Sequence, residues 1–200
     1  MAEPSIEDVD AIRELINIGV GRAAGMLSDI TGCSIRLRVP SIQIVDLAGF
    51  TNGTGGEKES ALSTVSLNFR GPMAGLAALV FPPESAARLI ILMTRENEES
   101  REMDAMRIET IKEVGNIIIN AVMGSIANVL GQHLRYSLPS YQELGIRSLA
   151  RSLRATVDNR VVLANAYFLI EETSIEGNIL LILELGSMET LLESIHGMAK

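Results

Sequence analysis

The feature that most constrains this chain is a repeat of itself. Glu14 and Glu113 stand 99 positions apart, and the same interval separates Asn17 from Asn116, Gly32 from Gly131, Arg36 from Arg135, Pro40 from Pro139 and Ser41 from Ser140. The apolar stripe moves with them: Val9, Ile12, Ile16, Gly19 and Ala23 become Ile108, Ile111, Gly115, Ile118 and Val122. Phe69 and Phe168 keep the interval as well. Chance supplies one or two such matches, not six identities in register, so one supersecondary unit made twice is expected. The 200 residues then read as a single domain with halves at about 5–95 and 103–198, joined by the acidic linker ENEESRE at 96–102.

Within each half the periodicity points to helix, strand, hairpin and helix. Ser5, Glu7 and Asp8 have the look of a capping signal and Gly32 is a natural stop, so a long helix is expected between them. Short strands fit Ser34–Val39 and Ser41–Leu47, a glycine-rich loop fits Ala48–Glu59, and Gly71-Pro72 turns Ala61–Arg70 into Met73–Phe81 as a hairpin. Pro82-Pro83 introduces a helix over about Glu84–Thr94. After the linker come a helix to Gly131, a short strand at Leu134–Leu138, strands at Val161–Ile170 and Gly177–Leu185, and a last helix at Ser187–Met198. Strands in runs rather than βαβ alternation make the class α+β. The two units are expected to be related by a pseudo-twofold axis and to share one β-sheet core, with two long motif-bearing helices.

Composition narrows what such a fold can do. Lys+Arg number 17 against 25 Asp+Glu, a net charge of −8, which disfavours nucleic acid and anionic membranes as partners. One cysteine, Cys33, excludes an internal disulfide framework and a CxxC centre, and two histidines, His133 and His196, exclude an all-histidine metal site. The uncharged stretch Val114–Gln132 imitates a membrane span but carries Asn116, Asn120, Ser125, Asn128 and three glycines, so a mostly buried helix is expected and membrane insertion is not. The first ten residues hold four acids and no cation, the reverse of a signal peptide, and a cytoplasmic location is expected. Ser28, Ser63 and Ser66 have no assignable His–Asp partners, and the Gly53–Gly56 loop lacks the Lys-Ser/Thr of a phosphate cradle.

The repeat leaves one polar row per long helix that core packing does not explain. Asp10, Glu14, Asn17 and Gly21 share a face of the first helix, and Glu109, Glu113, Asn116 and Asn120 share the matching face of the second. Each row offers a carboxylate and, one turn along, a carboxamide on a rigid rod. Gly21 would admit the close approach of another backbone. Acids on an outer helix face are usually only solvated. Asn is a poor interior helix former, however, and it occurs twice, each time three residues after a Glu and with 22 residues between it and a proline. A site is one reading; the other is that Asn serves the fold by capping a neighbouring strand.

Asp10-x3-Glu14-x2-Asn17-x22-Pro40, with its second copy Glu113-x2-Asn116-x22-Pro139, resembles the signature of the CheC/CheX/FliY family of chemotaxis phosphatases. Two intact Glu/Asn pairs look more like CheC than CheX. No flagellar-switch domain is expected after Lys200. The resemblance implies hydrolysis of the phosphoaspartate of a CheY-like response regulator. Asn17 and Asn116 would position water, Glu14 and Glu113 would contact the partner, and Asp10, Gly21, Glu109 and Asn120 would line the docking face. It implies no cofactor of the chain's own, the Mg²⁺ belonging to the phosphorylated partner. The alternative is a non-catalytic adaptor that binds a receiver domain or the receptor deamidase CheD. Glu109 and Asn120 depart from the expected smaller residues.

Overall fold

Ser5 opens the first helix through a reciprocal cap. Its hydroxyl accepts the Asp8 backbone N–H at 3.1 Å, while the Asp8 carboxylate accepts the Ser5 N–H at 2.8 Å. The helix, α1, spans Ile6–Thr31 and ends at Gly32, whose φ of 68° is the left-handed conformation that glycine adopts without strain. The computed structural model describes residues 4–46, 61–95, 105–145, 148, 160–170 and 172–198. The loop expected at 48–59 and the linker at 96–102 lie outside the described residues.

Among the described residues the remaining elements are strands β1 (Ile35–Asp46), β2 (Leu62–Arg70) and β3 (Gly75–Phe81), helices α2 (Pro83–Thr94) and α3 (Ala105–Leu130), strands β4 (Arg135–Tyr136), β5 (Ser140–Leu144), β6 (Arg160–Ile170) and β7 (Thr173–Leu183), and helix α4 (Ser187–Met198). The class is α+β with one antiparallel sheet and four helices. The strand order is β1-β6-β7-β3-β2-β4, with β5 beside β2 along the same ladder edge as β4. β1, which follows α1, pairs with β6 rather than with β2 or β3, and β4 and β5, which follow α3, pair with β2 rather than with β6 or β7, so strands far apart in the chain lie side by side.

The strand β5 (Ser140–Leu144) was not expected from the sequence, and β1 and β7 differ from expectation for local reasons. The strands expected at Ser34–Val39 and Ser41–Leu47 are one strand, β1, whose register against β6 slips between Arg38 and Ser41. Pro40 has no N–H to give a ladder, so the chain bulges there and continues. β7 begins at Thr173, four residues before Gly177. Gly177 reads as a strand start but lies inside the ladder opposite Ala166, where a Cβ would run into the Phe81 ring.

The long helices lie on the inner face of the sheet. Ile12, Ile16, Val20 and Leu27 of α1 and Ile111, Ile118, Val122 and Ile126 of α3 are buried with Val65, Leu79 and Phe168 in one continuous core. Phe81 and Phe168 meet with ring centroids 5.1 Å apart at a tilted angle that suits aromatic quadrupoles. The two helices cross so closely at Gly19 that a Cβ there would overlap the Val122 backbone. α3 is long and apolar enough to cross a membrane by length and composition alone, yet half of its most apolar window is buried in this fold.

Candidate functional site

The two polar rows emerge on the outer sides of α1 and α3. Asp10, Glu14 and Gly21 are exposed and Asn17 is half-buried; Glu109, Glu113 and Asn120 are exposed and Asn116 is half-buried. The structure thus brings each set of four onto one helix face, as the spacing requires. The leading acid of each row is engaged at home. Asp10 pairs with Arg13 at 3.0 Å and Glu109 with Lys112 at 2.7 Å, both three residues on along the helix. Such exposed pairs are worth little and exchange easily. Neither Glu14 nor Glu113 forms an ion pair among the described residues, so these two carboxylates are open to an external cation.

The carboxamides behave differently in the two rows. Asn17 is bound twice to one residue of β1: its Nδ2 donates to the Val39 carbonyl at 2.8 Å, and its Oδ1 accepts the Val39 N–H at 2.8 Å. Val39 is at the bulge and buried, so its backbone groups need partners from somewhere. The helix supplies them through a side chain that mimics a neighbouring strand. Ser28 does the same one end further along, accepting the Ile35 N–H at 3.0 Å and donating to its carbonyl. Asn17 therefore caps β1 in this structure.

Asn116 has no such duty. The residue that matches Val39 is Leu138, and it is 89% exposed, outside any strand between β4 and β5. Ser137 takes over the ladder there, its N–H donating to the Asn68 carbonyl at 2.9 Å and its hydroxyl accepting the Asn68 N–H at 3.0 Å. Asn116 instead accepts, at Oδ1, a hydrogen bond of 2.7 Å from Asn120 Nδ2. Its own Nδ2 meets no partner among the described residues. Asn120 stands where α1 has Gly21, so the departure noted in the sequence orients the second carboxamide rather than crowding it.

The segment most like known families coincides with the first row. The CheC-like family matches residues 9–44, from just before Asp10 to past Pro40. A protein named CheC1 from Halobacterium salinarum is 27% identical over 135 residues, covering 67% of this chain and 68% of that protein. The CheY-P phosphatase CheC of Bacillus subtilis is 24% identical over 136 residues, covering 66% of this chain and 65% of that protein. The X-ray structure of FliY from Thermotoga maritima superposes with a TM-score of 0.79 at 20% identity, covering 98% of this chain and 99% of that one. The chain is thus similar to CheC proteins over about two thirds of its length, with residues 9–44 matching the CheC-like family, and it shares the fold of FliY.

Three further features of this CheC-like chain escaped the sequence reading. His196 of α4 meets Asp8 at 2.7 Å, tying the last helix to the first cap. The Ser5 N–H is the largest cause holding the Asp8 carboxyl below its usual value, with burial opposing it. The Ser28 cap on Ile35 had no signal in the sequence, whereas strand capping by Asn17 was one of the readings its spacing allowed. Among the described residues no group of three His, Cys, Asp or Glu is placed to hold a metal.

Proposed function

We propose that the chain hydrolyses the phosphoaspartate of a CheY-like response regulator in cytoplasmic chemotaxis signalling, and that Asn116 on α3 is the residue that positions the attacking water. The observation that carries this is the wiring of the two carboxamides. Asn17 is consumed by the Val39 backbone, whereas Asn116 keeps its Nδ2 and one Oδ1 lone pair for a ligand. The CheY-P phosphatase named among its relatives supports the substrate class.

The chemistry asks for positioning more than for a strong base. Water attacks the phosphorus in line, the P–O bond to the aspartyl carboxylate breaks, inorganic phosphate leaves and the partner's aspartate side chain is regenerated as a carboxylate. A carboxamide can donate one N–H to the water oxygen and accept one water proton, leaving the other lone pair aimed at phosphorus without adding charge beside the phosphoryl oxygens. Glu113, one turn away and unpaired among the described residues, would take a cation of the partner and fix the distance. The Mg²⁺ that polarises the phosphoryl group would come with the partner.

The adaptor reading is favoured at the first row by the same observation. With Asn17 occupied, the Glu14 face of α1 is suited to docking a receiver domain rather than to attacking it. No feature of the structure singles out CheD. Release of phosphate from a labelled receiver, measured with wild type, Asn17→Ala, Asn116→Ala and the double variant, separates the readings. The proposal requires that Asn116→Ala and the double variant lose most of the acceleration. A double variant as fast as wild type rules it out.

A further inference from the structure

The caps on β1 leave a gap between them. β1 is an edge strand, and its outer row of N–H and C=O groups faces α1 rather than another strand. Ser28 satisfies Ile35 and Asn17 satisfies Val39. Alternation along an antiparallel strand turns Leu37, midway between them, to the same side. Opposite Leu37 the helix has Gly21, Ala24 and Gly25, which carry no polar side chain, and a Cβ built at either glycine would meet nothing within 4 Å. The result is an open groove of about 640 Å³. Arg36 and Arg38 border it from β1, with the Arg38 guanidinium 5.7 Å from the centre of the Tyr167 ring. Both arginines are exposed, and neither meets a carboxylate among the described residues.

In a chain with a net charge of −8, two free arginines beside an unfilled strand edge define a polarity. The N-terminal half of the α1 face is acidic, with Asp10 and Glu14, and the groove about two to three turns past Glu14 is basic. We propose that this groove receives an acidic segment of the partner receiver domain, whose carboxylates pair with Arg36 and Arg38 while an amide edge of the segment meets the N–H and C=O of Leu37. The Asn17 carboxamide on Val39 already shows an amide edge seated on this strand edge, one register step away. Arginine suits the task because its planar fork matches a carboxylate and its stacking on Tyr167 holds it in place. The inference rests on the receiver being the partner, and it assigns the first row to orientation and capture.

The test is the dissociation constant of a phosphorylated CheY-like receiver with wild type, Arg36→Glu/Arg38→Glu and Gly25→Leu, at low and high salt. Gly25→Leu fills the groove without changing charge. Both variants are expected to weaken binding at low salt by about tenfold or more, and the wild-type affinity is expected to fall with salt more steeply than that of the charge-reversed variant. The rate at saturating receiver stays that of wild type. Wild-type affinity in both variants overturns the groove assignment and leaves the phosphatase reading standing. Absence of receiver binding by wild type overturns both.

Discussion

The two motif-bearing faces carry the same Glu-x2-Asn-x22-Pro spacing and are wired in opposite ways. On α1 the asparagine is spent on the buried Val39 backbone; on α3 it is oriented by Asn120 and left open, because Leu138 has swung out to 89% exposure. Two substitutions separate the faces. Gly21 has no side chain to reach Asn17, whereas Asn120 holds Asn116, and Arg38 continues a strand where Ser137 rewires one. A motif is thus a statement about which groups share a face, and the neighbouring strand decides which of them is free to react.

The largest expected effect breaks the comparison outright. Asn116→Ala should lower the rate of receiver dephosphorylation by about 100-fold while leaving the melting temperature nearly unchanged, because misplacing the water costs that order of rate. Equal losses from Asn17→Ala and Asn116→Ala would show two equivalent sites.

Next, Asn17→Ala should cost about 2–3 kcal/mol of stability, since it strands a buried N–H and carbonyl at Val39, with little change in turnover. Urea unfolding measures this, and a cost below about 0.5 kcal/mol would mean that water replaces the cap without loss.

Asn120→Gly makes the second face resemble the first. Turnover should fall by about tenfold with an unchanged KM, the worth of one orienting hydrogen bond. A rise in KM alone would instead place Asn120 in partner contact.

The Asp8 cap gives a pH signature outside both faces. Its folded pKa lies below the ordinary value, so its stabilisation is present above that value and is lost as pH falls through the lowered one. Asp8→Asn should therefore cost about 1 kcal/mol at pH 7 and progressively less as pH falls below the ordinary carboxylate range, read from melting curves across pH. The smallest effect is Gly21→Ala, which meets no neighbour within 4 Å and should stabilise α1 by up to about 1 kcal/mol.

Much of the fold was legible because its causes are local. Ser5, Asp8 and Gly32 bound α1 within the residues that their capping chemistry names, and Pro82-Pro83 starts α2. The hairpin around Gly71-Pro72 follows from turn chemistry. Gly177 misled because a glycine that yields room to an aromatic ring looks the same in sequence as one that turns the chain. The crossed pairing of β1 with β6 and of β5 with β2 is a contact between residues far apart in sequence, and no periodicity reports it.

The sequence by itself determined the α+β class, the two long helices and the membership of each Glu/Asn pair on one helix face, because 3.6-residue periodicity and end caps act within a few turns. Only the tertiary structure decided that Asn17 caps β1 while Asn116 stays open, and that Arg36 and Arg38 border an unfilled edge. Those outcomes depend on which backbone groups a distant strand leaves unpaired, and an unpaired group is satisfied by whatever side chain the fold brings within reach.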